Sequence, residues 1–95
     1  MGNRPRRKER AAQYESAAFE EIQGRIAAAV KKQRKRQALS QEEAAHRCGM
    51  STRLLQMVEA GSSNLTLTTI ARLCEGLEVD VLDLVRRRKK PRPLV

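Results

Sequence analysis

Residues Leu39–Gly61 read LSQEEAAHRCGMSTRLLQMVEAG, and this stretch decides the fold. Ser40 followed three residues later by Glu43 is a capping-box signature that opens a short helix from about Gln41 to Cys48. Gly49 stands where a left-handed residue closes such a helix, since a residue without Cβ takes positive φ at no steric cost. Ser51 caps a second short helix from about Thr52 to Ala60, and Gly61 ends it. Ala45 is small enough for two helices to cross closely. Leu55 and Val58, three residues apart, face inward, so the other side of the second helix stays free. Two short helices therefore meet at a tight glycine turn.

Helical periodicity continues on both sides. Upstream, Tyr14, Ala18, Ile22, Ile26 and Val30 recur every four residues with Phe19 and Ala29 beside them, which predicts one amphipathic helix from about Lys8 to Gln37. Gly24 weakens that helix by about 1 kcal/mol relative to Ala and leaves a division into two helices open. Downstream, Ser62, Ser63 and Asn64 read as a polar loop. Thr66 caps a helix from about Leu67 to Gly76 that buries Ile70, Leu73, Cys74 and Leu77. Asp80 caps the last one, with Val81, Leu82, Leu84 and Val85 as its apolar side. No stretch alternates like a strand, so the expected class is all-α. The expected organisation is a disordered basic arm over 1–7, a helical extension over 8–25, a helical domain over 26–88 and a basic, Pro-containing tail over 89–95.

Ser40-Gln41-Glu42-Glu43, Ala45, Gly49, Ser51, Leu55, Val58, Glu59 and Gly61, followed by Ile70, Leu73, Leu77, Val79 and Leu84, resemble the phage-repressor/Cro type of helix-turn-helix, the XRE family. The likeness covers about residues 26–85. It implies a five-helix, lambda-repressor-like domain, here with an extended first helix and basic tails. The implied function is a sequence-specific double-stranded DNA-binding regulator of transcription that places Thr52–Ala60 in the major groove. Thr52, Arg53, Gln56 and Met57 are then the expected base-contacting residues. Arg53 suits guanine O6 and N7, Thr52 and Met57 suit a thymine methyl, and Gln56 suits a base or a phosphate. Gln41 resembles the family's phosphate-clamping glutamine at a helix start. Ser62, Ser63 and Asn64 lie where the family's loop meets the backbone, and Arg36 joins them as an expected phosphate contact. Arg34 and Glu59 stand where the family pairs an arginine with a glutamate, tying the first helix to the recognition helix. A homodimer is implied, with half-sites about 34–36 Å apart. Its expected contacts are Val81, Leu84 and Val85 of the last helix and Leu65 of the loop, while the aromatics Tyr14 and Phe19, outside the matched stretch, either fold back to supply core or join the dimer contact. Three residues depart from the pattern: Ala44 where leucine is usual, Gln33 where a larger apolar residue is common, and Ala38 where glycine is frequent. With no aromatic residue over 20–95, they predict a lightly packed core.

Charge points to the same class of partner. Twenty Lys and Arg against eleven Asp and Glu give a net charge of +9, which favours a polyanion. Eleven basic and four acidic residues make 1–36 +7, and 86–95 carries +6. The stretch 37–85, with three arginines against seven acids, carries −4. Three runs of five or six cations, in Arg4–Arg10, Lys31–Arg36 and Arg86–Arg92, read as phosphate-seeking segments.

Other classes fit poorly. No apolar run exceeds Ile26–Val30, so no transmembrane helix is expected, and the basic amino terminus lacks the apolar stretch of a secretory signal. Two cysteines without an export signal suggest reduced thiols in a cytoplasmic, nucleoid-associated protein. Cys48 and Cys74 read as small buried hydrophobes, and with His46 they do not supply the ligand spacing of a zinc site, so neither metal nor cofactor is expected. Glu20-Glu21 and Glu42-Glu43 point about 100° apart on a helix, and no nucleophile–base arrangement is present, so the chain does not read as an enzyme. A basic amphipathic helix also suits a membrane surface, but the first helix lacks Trp and its apolar face is needed for the core. The remaining competitor is the same fold acting through protein contact, as an antitoxin or an accessory factor bound to another regulator.

Overall fold

The computed structural model describes residues 16–87, which form five helices and, among the described residues, no strand. They are α1 (Ala17–Arg36), α2 (Gln41–Arg47), α3 (Thr52–Glu59), α4 (Leu67–Leu77) and α5 (Val81–Val85). The arm over 1–7, residues 8–15 of the extension and the tail over 89–95 lie outside the described residues, as does Tyr14.

Each helix opens on a side-chain cap. Ser16, Ser40, Ser51 and Thr66 accept from the backbone N–H three residues on, and Asp80 accepts from Leu82. The capping box at Ser40 is complete, since the Glu43 carboxylate takes the Ser40 N–H at 2.9 Å while Ser40 Oγ takes the Glu43 N–H at 3.0 Å. Those bonds favour the charged form of Glu43, with the Ser40 backbone contributing most, and hold its pKa below the ordinary carboxylate value. Ser16 is extended, so α1 begins at Ala17 and does not run through from Lys8. Gly24 lies within α1 without breaking it, and the helix passes uninterrupted through 25 and 26. The turns that follow Gly24 bury Ile26, Ala27 and Val30 against the other helices, and such tertiary packing outweighs one weak residue.

Helices α1 to α4 close in the same way. The N–H of Leu39, Met50, Ser62 and Val79 returns to the carbonyl five residues back, at Arg34, Ala45, Met57 and Cys74, beside a bond from the residue before it to the carbonyl three residues back. This double bond requires a left-handed residue at the turn. Gly49 fills that position with φ +64°, but Ala38 and Glu78 fill it with φ +55° each, a conformation in which a Cβ crowds the carbonyl. Gly76, read from the sequence as the end of α4, is instead inside the helix. A Cβ there would stand 2.5 Å from Cys48 Sγ and 2.7 Å from Cys48 Cα, so the missing side chain is what lets α4 cross α2.

The core is one cluster of Ile26, Val30, Leu39, Ala44, Ala45, Cys48, Leu55, Val58, Leu73, Leu77 and Leu84. Ala44 and Ala45 are both fully enclosed, which places small residues where α2 packs into the domain. Burial pushes the Cys48 thiol pKa up, as it does that of Cys74, where Asp80 and Glu75 add to the effect. The amino-terminal half of α1 is less covered. Ile22 keeps half of its surface exposed and borders an open groove of about 200 Å³ lined also by Phe19, Ile26, Leu65 and Ile70. Among the described residues no helix is long and apolar enough to cross a membrane, and no group of three or more His, Cys, Asp or Glu is placed to hold a metal ion.

Candidate nucleic-acid interface

Helix α3 is short and strongly two-faced. Leu55 and Val58 are buried, Leu54 and Thr52 are half-buried, and Arg53, Gln56 and Met57 are exposed on the other side. Ser51 Oγ, accepting the Leu54 N–H at 3.0 Å, fixes the first turn that carries Thr52 and Arg53. Seen from the solvent, this surface offers a guanidinium, a carboxamide and a thioether.

The angle of α3 is set by a partly buried ion pair. Arg34 Nε donates to Glu59 Oε2 at 2.7 Å and Arg34 Nη2 to Glu59 Oε1 at 3.0 Å, with side chains 12% and 4% exposed. Arg34 Nη1 also donates to the Leu39 carbonyl at 3.0 Å, so one guanidinium joins α1, the α1–α2 turn and α3. The hydrogen bond to Glu59 is the main reason that the Arg34 pKa lies above its ordinary value. Gln41 completes the link, because its Nε2 donates to Glu59 Oε1 at 3.3 Å and its Oε1 accepts from Gln56 Nε2 at 3.2 Å. Arg34, Glu59, Gln41 and Gln56 thus form one connected chain from the core to the surface.

Other expected site residues divide by exposure. Arg36 is exposed in the last turn of α1, where Arg34 and Lys35 also lie. Ser62 and Asn64 are exposed in the loop after α3, and Ser62 Oγ donates to the Met57 carbonyl at 3.3 Å. Ser63, between them, is turned inward. It is 8% exposed, and its carbonyl takes Gln23 Nε2 at 2.8 Å, so it pins the loop to α1. Leu84, expected at a dimer contact, is fully buried in the core because α5 turns it toward the rest of the domain. Val85 is half-buried with its carbonyl accepting from Arg25, Leu65 and Phe19 lie half-buried at the groove, and Val81 is 47% exposed.

Several contacts have no counterpart in the sequence pattern. Arg72 Nη1 donates to the Gly49 carbonyl at 3.2 Å and so supports the turn between α2 and α3 from α4. Gln37 Nε2 donates to the Leu77 carbonyl at 2.8 Å, joining the ends of α1 and α4. Leu67 and Leu82, at 82% and 65% exposed, are the large apolar side chains most open to solvent among the described residues. The one signal for Arg72 in the sequence is that it is the lone cation of its helix.

A family model described as helix-turn-helix, HTH_3, matches residues 30–84. A solved transcriptional regulator of the HTH_3 family from Vibrio cholerae superposes with a TM-score of 0.65 at 29% identity, over 68% of this chain and 36% of that one. This chain therefore spans little more than a third of that relative's length. A hypothetical transcription factor, NHTF, from Neisseria gives a TM-score of 0.65 at 26% identity, over 67% of this chain and 74% of that one. No curated protein matches the sequence.

Proposed function

The chain belongs to the HTH_3 helix-turn-helix family, and from that premise we propose that it is a sequence-specific DNA-binding regulator of transcription. The observation that carries the reading is the outward face of α3, where Arg53, Gln56 and Met57 stand exposed on a helix locked by the Arg34–Glu59 pair. A short helix of this diameter enters a major groove, and side chains held at a fixed angle can read base edges. Arg53 takes guanine, Thr52 and Met57 take a thymine methyl, and Gln56 takes a base. Gln41, Ser62, Asn64 and Arg36 take phosphates. The basic flanks supply the remainder of the affinity.

The protein acts as a homodimer, which sets two α3 helices about one turn of DNA apart, near 34–36 Å. Exposed Val81 and Leu82 support α5 as the contact, together with the groove beside Phe19 and Leu65. Exposed Leu67 also favours a second reading, the same domain bound to a protein partner.

Selection of bound duplexes from a random pool, followed by anisotropy across a salt series, tests the proposal. A consensus that spans two half-sites is expected. Removal of residues 1–7 and 89–95 takes away six cations. If each faces a phosphate, the salt slope should flatten by about five log units per log unit of salt with the consensus unchanged. Binding that depends on salt alone and selects no sequence would overturn the regulator reading in favour of the protein-contact one.

A further inference from the structure

We infer that Glu59, acting through Gln41, fixes the carboxamide of Gln56 in one orientation and makes Gln56 the adenine-selecting residue of α3. The inference rests on the DNA-binding reading above and says which base one side chain would choose.

An ionised carboxylate only accepts hydrogen bonds. Glu59 is 4% exposed at its side chain and gripped by Arg34, so it is a fixed acceptor. Gln41 must therefore turn its NH2 toward Glu59 Oε1, and its carbonyl oxygen faces the other way. There it meets the Gln56 NH2 at 3.2 Å. Reversing either amide would set an oxygen against an oxygen, in the first case beside a buried anion. The donor direction of the whole chain is thus imposed by a charge at its inner end, which settles the two amide orientations that geometry alone leaves ambiguous.

The consequence falls on the exposed end. With one N–H committed to Gln41, Gln56 offers solvent one remaining N–H and its carbonyl oxygen. In the major groove adenine presents an acceptor at N7 beside a donor at N6, which matches that pair when the N–H given to Gln41 is the one trans to the carbonyl oxygen. Guanine presents two acceptors, N7 and O6, so the Gln56 oxygen would oppose one of them. A free glutamine escapes this conflict by turning both N–H groups to guanine; a glutamine held by Gln41 cannot. Arg53, three residues earlier on the same exposed face, carries only donors and covers the complementary choice of guanine.

The test is duplex selection with the full chain and with Gln41→Met and Gln56→Ala, followed by competition between duplexes that differ only by adenine or guanine at the assigned position. A matched bidentate contact corresponds to a preference of about 5- to 150-fold. Wild type is expected to select one adenine per half-site, Gln56→Ala to lose it, and Gln41→Met to bring adenine and guanine within about twofold while other positions persist. A structural role alone would weaken binding to both duplexes equally. Gln56 is exposed, so Gln56→Ala keeps the test decisive if Gln41→Met melts before binding can be measured. A consensus that survives Gln56→Ala, or an adenine preference unchanged in Gln41→Met, overturns the relay and leaves the regulator intact. Absence of any consensus in wild type overturns both.

Discussion

Ala38 and Gly49 occupy equivalent positions at the ends of α1 and α2, and exchanging their residue types should move stability in opposite directions by similar amounts. Ala38 has φ +55° and Gly49 has φ +64°. A left-handed L-residue costs about 1–2 kcal/mol, and glycine costs about 0.5–1 kcal/mol in backbone entropy. The difference favours glycine by about 0.5–1 kcal/mol. Ala38 is exposed, so Ala38→Gly removes no core contact. A Cβ added at Gly49 meets nothing within 4 Å, so Gly49→Ala adds backbone strain without a clash. Expected outcomes in urea unfolding are a rise of about 0.5–1 kcal/mol for Ala38→Gly and a fall of about the same size for Gly49→Ala, with unchanged slopes. At about 4–8 °C per kcal/mol, each shifts the melting temperature by several degrees. Glu78→Gly, also at φ +55° and exposed, should act like Ala38→Gly. A destabilised Ala38→Gly, or a neutral Gly49→Ala, would refute the assignment of left-handed strain to these turns.

Arg34→Ala should cost about 3–5 kcal/mol by leaving Glu59 charged and enclosed, whereas the Arg34→Met/Glu59→Leu double variant should recover most of that loss. Thermal melts of the set decide it, and Arg34→Ala within about 1 kcal/mol of wild type would remove the pair from the account. Gly76→Ala should destabilise by about 3 kcal/mol or more, because the new Cβ meets Cys48 backbone as well as its sulfur, and a normal melt would show that α2 and α4 can separate freely. The Glu43 pKa is lowered in the folded protein, so the unfolded chain binds its proton first as the pH drops. The capping-box contribution should therefore be complete above the ordinary carboxylate value of 4.5 and fade as the pH falls through the lower folded one. Circular dichroism melts from pH 6 down to about pH 2 should show Glu43→Gln with a shallower loss over that window, and superimposable pH profiles would exclude Glu43 as a source.

The parts of the fold that local chemistry decides are legible in the sequence itself. Caps at Ser40, Ser51, Thr66 and Asp80 are short-range signals, and each of those helices starts within one residue of its expected place. Helix ends are harder to read where residue type and backbone disagree. Ala38 and Glu78 adopt the conformation that normally announces a glycine, while the glycine at 76 serves a helix crossing. That contact depends on Cys48, 28 residues away, which no window along the chain connects to it. The outward face of α3 follows from its period. The Gln41–Gln56 bond and the Arg72–Gly49 bond do not, since both depend on how separate helices approach. At α5, five residues are too few for periodicity to tell an inward leucine from an outward one, so the pattern does not separate buried Leu84 from exposed Leu82.

The acidic balance of residues 37–85 raises an apparent objection to nucleic-acid binding, and the placement of the acids answers it. Glu42 and Glu43 lie in the first turn of α2, where carboxylates offset the exposed N–H groups and dipole of a helix start. Glu75 and Asp80 gather around Cys74 at the carboxyl end of α4, and both push its thiol pKa up. Glu59, the acid within α3, is turned inward and offset by Arg34 of α1. Helix α3 is neutral by count, with Arg53 against Glu59, yet the charge it shows to solvent is that of Arg53. The ion pair therefore does two things at once. It sets the angle of α3, and it removes from the exposed face of that helix the one anion that would repel a phosphate backbone.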